Sequence, residues 1–199
     1  MTTANKITIL RILLIPFFVV ELIYYLQTGN EIHHLLALLS FAATAILDGV
    51  DGYIARRYNQ KSELGAILDP LADKLLLVSA IIALSFNRSP HLGQIPLWLT
   101  GTVLGRDVLL LIGIAVIRLT VGKVTVRPRL IGKVATVFQM AVVIWVLLDW
   151  DRDLNARWFT AWTTGAAVFT GISGLLYVFD GIRQLGAHPA SSAEVKTTD

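Results

Sequence analysis

Residues 48–74, DGVDGYIARRYNQKSELGAILDPLADK, decide how the chain folds. Asp48 and Asp51 stand three apart and Asp69 and Asp73 four apart, spacings that put each pair on one face of an α-helix. The flanking sequence is apolar: a stretch over 32–55 ends in the first pair, and one over 64–86 begins with the second. The link between them, RRYNQKSE, is short and polar, which predicts an antiparallel helical hairpin. One stripe then carries Asp48, Asp51, Gly52, Ala55 and Arg56, the other Gly65, Asp69 and Asp73, and the two face each other at one end.

The surrounding chain says what solvent that hairpin meets. Its 199 residues are 55% hydrophobic and 16% charged, with a mean hydropathy of +0.66. Soluble domains rarely combine such values, whereas polytopic membrane proteins do. Six apolar stretches, about 7–27, 32–55, 64–86, 96–118, 129–149 and 158–180, are each long enough to cross a hydrocarbon core of about 30 Å as a helix. Alternating ten-residue segments are missing, so a barrel is not expected. The expected fold is all-α, a polytopic integral membrane bundle of six transmembrane helices. Residues 1–182 form the membrane domain and 183–199 a polar, disordered tail. The first stretch is too long for a signal peptide and lacks its small-residue cleavage site.

Charge gives the orientation. With six spans both termini fall on one side, together with Lys6, Arg11, Arg56, Arg57, Lys61, Arg118, Lys123, Arg127, Arg129, Lys133, Arg183 and Lys196. The other side holds Arg88, Arg152 and Arg157, the last two among Asp149, Asp151 and Asp153. Both termini and the acidic end of the hairpin are therefore expected in the cytoplasm; the membrane itself is expected to be a bacterial inner membrane. The net charge of +3 is spread between apolar segments, which excludes a nucleic-acid surface. With no cysteine there is no thiolate nucleophile, disulfide or thiolate zinc site.

Four carboxylates so close do not all stay ionised alone. All-oxygen donor sets suit Mg²⁺ or Mn²⁺, and four aspartates could share two such ions. Two divalent cations form the clamp used on attacking and leaving oxygens in phosphoryl transfer. Gly52, Ala55 and Gly65 let a ligand approach the backbone, and Arg56 offers a fork for phosphate or a base edge. The plainer readings are solvated charges at helix ends, or a calcium loop at DGVDG. An EF-hand's alternating ligands and terminal Glu are missing, however. Ionisable residues inside spans are functional by default.

The pattern D-x2-D-G-x2-A-R-x8-G-x3-D-x3-D is complete at Asp48, Asp51, Gly52, Ala55, Arg56, Gly65, Asp69 and Asp73. It resembles the signature of the CDP-alcohol phosphotransferases, class I CDP-alcohol phosphatidyltransferases of phospholipid synthesis. The resemblance runs from NKITILRILLIPFF to RLIGKVATVFQM and covers all but the tail. It implies that Asp48, Asp51, Asp69 and Asp73 hold two divalent cations, Mg²⁺ or Mn²⁺, on the diphosphate of CDP-diacylglycerol. Gly52, Ala55, Arg56 and Gly65 would contact the CDP moiety. Asp73 would be the general base for an acceptor hydroxyl, with CMP leaving, and the enzyme would be a homodimer. The branch resembled is the glycerol-type one. Glycerol 3-phosphate, giving phosphatidylglycerophosphate, stands first, and phosphatidylglycerol, giving cardiolipin, second. Phosphatidylglycerophosphate synthases often carry Arg-Glu in span four and a second Arg eight residues on; here these positions read Arg106-Asp107 and Ile114.

Other residues follow from this frame. Arg106, within span four, needs a partner or a wet cavity. Asp107 points elsewhere on the helix, so an aspartate of span two or three, or an acceptor phosphate, is expected opposite Arg106. Arg118 and Lys133 are the further acceptor-binding candidates, against plain positive-inside charge. Pro70 removes a backbone bond beside the acidic stripe. Gly101 and Gly105 allow close helix contact, in a dimer seam or internally. A cation transporter is the competing class. It predicts cation-binding charges near the midplane, broken helices and internal pseudo-symmetry, whereas the aspartate cluster lies at one edge of the membrane and no repeat shows.

Overall fold

The computed structural model describes residues 3–57, 63–120, 130–150 and 156–186, with side chains described there except at 3–6, 51–57, 63, 64, 66, 67, 156 and 184–186. Among the described residues six long helices follow one another: α1 Thr3–Thr28, α2 Glu31–Arg57, α3 Glu63–Ser85, α4 Leu97–Thr120, α5 Leu130–Leu147 and α6 Ala156–Gly186. Each matches one expected span within a few residues at its ends, except that α6 runs on to Gly186. Among the described residues there is no strand. Stretches of four helices are long and apolar enough to cross a membrane: Ile7–Thr28, Glu31–Val50, Leu130–Leu147 and Arg157–Arg183. The other two helices carry internal charge, Asp69, Asp73 and Lys74 on α3 and Arg106 and Asp107 on α4.

The chain divides into two compact units. The first comprises 1–97 and 140–159. Its seam is a stripe on α1, Thr8, Arg11, Ile15, Phe18, Leu22 and Tyr25, all buried, at alternating spacings of three and four. That repeat keeps one face of a helix against its neighbours. Ala37 and Phe41 of α2 and Ala72, Leu76 and Ala80 of α3 are likewise buried, and Phe18 packs on Phe41 with ring centroids 5.4 Å apart. The opposite side of α1 shows Leu10, Leu13, Phe17 and Val20, an exposed apolar face suited to lipid.

Local sequence explains the turn from α1 to α2. Gly29 has φ +68° and its N–H donates to Tyr25 O at 2.8 Å, a left-handed helix end that glycine adopts without steric cost. Asn30 caps α2, its Oδ1 accepting from Ile32 N–H at 3.1 Å. At this end His33 Nδ1 lies 2.7 Å from Glu21 Oε2. His34 Nε2 lies 2.7 Å from Leu147 O and its ring stacks on Tyr25 at 4.4 Å. These histidines tie helices together at the end of α1 opposite Arg11.

The second unit comprises 98–139 and 160–199. Its α6 stripe is small and hydroxylic: Thr163, Ala166, Thr170 and Ser173 are buried. Gln139 Nε2 donates to Thr170 Oγ1 at 2.7 Å. Phe138 lies against Trp162 and Phe169, each at 5.1 Å, and fits there because Gly165 has no side chain: a Cβ would stand 2.9 Å from the ring. Gly101 and Gly105 are exposed, and no atom of their own unit would come within 4 Å of a Cβ at either. Within that unit they are not a packing seam.

Candidate active site

The aspartate site is assembled on α1. Three and four residues make nearly one turn, so Thr8 and Arg11 occupy the first two positions of the buried α1 stripe. Arg11 Nη1 lies 2.7 Å from Asp48 Oδ1 of α2, and Arg11 Nη2 donates to Asp73 Oδ1 of α3. Thr8 Oγ1 donates to Asp69 Oδ1 at 2.8 Å. Two carboxylates held by one guanidinium lie within a few ångströms of each other, so Asp48 of α2 and Asp73 of α3 converge. The guanidinium is buried, 1% exposed, while the side chains of Asp48 and Asp73 are 44% and 49% exposed. The cation thus forms the floor of the site and the carboxylates its open face.

Arg11 and Thr8 are the residues that sequence reasoning missed. Arg11 had counted only as one positive-inside charge. The signal that marks it is its place in the stripe that continues as Ile15, Phe18, Leu22 and Tyr25. A permanently charged side chain at a buried position must face a partner.

Asp51, Gly52, Ala55 and Arg56 lie on the last turns of α2, and their side chains fall outside those described. Gly65 is buried at the start of α3. Among the described residues no three acidic or histidine side chains are gathered tightly enough for one ion. The donor set nevertheless fits hard divalent cations. Where Arg11 meets Asp48 and Asp73, and Thr8 meets Asp69, the oxygen engaged is Oδ1, and a carboxylate carries a second oxygen with which to ligate.

The second unit holds a separate polar cluster around Arg106. Nη1 donates to Asp107 Oδ1 at 2.7 Å, Nη2 donates to Ser173 Oγ at 3.1 Å, and Cζ stands 5.5 Å from the Tyr177 ring centroid. The neighbouring Asp107, set aside on helix geometry, is the partner after all. A side chain with four rotatable bonds curls around the helix to the nearest carboxylate rather than stay buried unpaired. Gly132 and Gly174 make the room: a Cβ would stand 3.3 Å from Arg106 Nη2 at the first and 3.2 Å from its Cγ at the second. Arg106 Nε is buried with no hydrogen-bond partner among the described residues. Arg118 and Lys133 are not drawn into this cluster. Both are exposed, and neither makes a hydrogen bond or ion pair among the described residues.

The chain is similar to known proteins over most of its length. The family model described as CDP-alcohol phosphatidyltransferase matches residues 1–173. A probable phosphatidylglycerophosphate synthase of Mycobacterium tuberculosis is 34% identical over 92% of this chain and 83% of its own length. A cardiolipin synthase (CMP-forming) of Streptomyces coelicolor is 31% identical over 96% and 87%. The CDP-diacylglycerol–glycerol-3-phosphate 3-phosphatidyltransferase of Escherichia coli is 33% identical over 71% and 74%.

Proposed function

Because the chain belongs to the CDP-alcohol phosphatidyltransferase family, we propose that it moves the phosphatidyl group of CDP-diacylglycerol to glycerol 3-phosphate, releasing CMP. The convergence of Asp48 and Asp73 on Arg11 carries this reading, since it makes one site of the two halves of the acidic motif. Relatives whose names specify glycerol 3-phosphate or phosphatidylglycerophosphate support the acceptor.

In this reading Asp48, Asp51, Asp69 and Asp73 hold two divalent cations, Mg²⁺ or Mn²⁺. Bound there, the ions would neutralise charge on the diphosphate. Gly52, Ala55 and Gly65 leave room for the cytidine nucleotide, and Arg56 binds its phosphate. Asp73 accepts the proton of the acceptor hydroxyl as its oxygen bonds to the lipid-bearing phosphorus. The phosphorus–oxygen bond to CMP breaks, and CMP leaves with the electron pair. Arg106, fixed by Asp107 and Ser173, is a rigid candidate for the acceptor's phosphate, with Arg118 and Lys133 as further cations. Six helices span a bacterial inner membrane, with both termini and the site on the cytoplasmic side, where a lipid and a soluble nucleotide can meet. The enzyme works as a homodimer, and the open Gly101–Gly105 face of α4 is compatible with a second copy.

A second acceptor reading, phosphatidylglycerol giving cardiolipin, draws support from the Streptomyces coelicolor relative. It also draws on Arg106-Asp107 with Ile114 eight residues on. One experiment separates the two. Purified protein in detergent with Mg²⁺ or Mn²⁺ is given CDP-diacylglycerol and either glycerol 3-phosphate or phosphatidylglycerol, and CMP is measured. Release with glycerol 3-phosphate alone, abolished by Asp73→Asn and by chelation, is expected. Release with phosphatidylglycerol alone would reassign the branch, and metal-independent release would remove the cations from the mechanism.

A further inference from the structure

We propose that Arg11 is the built-in counter-cation of the aspartate site, holding it assembled when no metal ion is bound. The inference rests on the metal-dependent reading above and concerns a residue outside the acidic motif. Carboxylates brought together from two helices repel one another, and without a positive charge they would have to take up a proton or move apart. Arg11 supplies that charge by geometry: one planar fork places one nitrogen on Asp48 and another on Asp73. A guanidinium keeps its charge at any working pH, so this support is permanent.

The arrangement also fixes how Arg11 and a metal ion relate. Arg11 is 1% exposed beneath carboxylates that are 44% and 49% exposed. An ion therefore enters from the open face while the guanidinium stays below. Both cations draw on the same negative charge. They oppose each other: Arg11 stabilises the metal-free site and weakens each ion's hold on it. Such a site is ready for ions arriving with a diphosphate, because it does not need them to keep its shape. Thr8, on Asp69, adds a neutral hydrogen bond to the same floor.

The opposition predicts changes of opposite sign in one variant. Thermal midpoints of purified full-length protein in detergent are measured in EDTA and in Mn²⁺, and Mn²⁺ binding is followed by EPR of the free ion. Arg11→Gln is expected to melt several degrees lower than the native chain in EDTA. It is expected to bind Mn²⁺ about tenfold more tightly and to recover most of its lost stability in Mn²⁺. If Arg11→Gln does not fold, Arg11→Met carries the same test with the same signs, since it also removes the charge while filling the buried position with an adaptable apolar side chain. An unchanged midpoint in EDTA, or unchanged or weaker Mn²⁺ binding, would overturn the proposal. If the native chain binds no Mn²⁺, the metal-dependent reading falls with it; if the native chain binds and the variants match it, this inference falls alone.

Discussion

At the scale of single residues, the two sites are held by different means. Around Asp48 and Asp73 a charge does the holding, whereas around Arg106 it is space, left by Gly132 and Gly174. Gly132→Ala would push a methyl against Arg106 Nη2 and Ser173 Oγ, each 3.3 Å from its Cβ position. If Arg106 meets the acceptor phosphate, this change raises KM for the acceptor severalfold and leaves KM for CDP-diacylglycerol nearly unchanged. Steady-state kinetics with each substrate varied in turn checks it. Ser173→Ala, which removes one hydrogen bond without adding bulk, should act in the same direction and more weakly. The acidic motif was legible because spacings of three and four inside apolar sequence have one structural meaning. Arg11 was not legible in the same way, because its partners are set by tertiary contact, Asp73 lying 62 positions away. Local periodicity reports which face a residue takes, not what waits opposite. Arg106 illustrates the reverse error: strict face geometry set Asp107 aside, although a long side chain is not confined to the face of its Cα.

At the scale of elements, the six helices followed from the lengths of the apolar stretches, and their ends from punctuation. Gly29 and Asn30 close one helix and open the next. A residue with a Cβ at position 29 meets two obstacles. One is the left-handed φ of +68°; the other is the His91 ring, whose Nε2 would stand 2.7 Å from the new atom. Gly29→Ala should therefore cost at least about 1–2 kcal/mol, seen as a lowered thermal midpoint in detergent. CMP release at low temperature should persist, since the turn lies at the opposite end of α1 from Arg11. The last helix is longer than its apolar stretch over 158–180. In the structure α6 continues to Gly186, and a membrane helix does not stop where the hydrocarbon does. Asp51, Gly52, Ala55 and Arg56 had been placed on the α2 stripe. Their backbone is helical there, and their side chains lie outside those described.

At the scale of the whole molecule, family and reaction class were legible from eight positions at fixed spacing. The family match over residues 1–173 agrees with that reading, and the transporter alternative lapses with it. Orientation is the open whole-molecule claim, and the chain is well suited to test it, having no cysteine. Single cysteines at Asn30 and at Ser62 can be introduced without removing any. In intact cells a membrane-impermeant maleimide is expected to label position 30, and to reach position 62 only after the membrane is opened. The reverse pattern would turn the molecule over and put the aspartate site on the side without the nucleotide.

The pairing of Arg11 with α3 also bears on how the protein is made. Arg11 enters the bilayer with the first span, and Asp73 is synthesised 62 residues later. A guanidinium costs about 2.5–3.5 kcal/mol at the centre of an inserting helix and less about one turn from its end, where Arg11 stands, so the interface is still favoured. Until the third helix arrives, the start of α1 should therefore ride shallow, with Arg11 reaching for the interface. A cysteine at Thr8 should react with a water-soluble maleimide in ribosome-stalled chains that have not yet delivered Asp69 and Asp73 to the membrane. It should be protected once both are in place. Along the first helix, the order of synthesis and the order of settling would run in opposite directions.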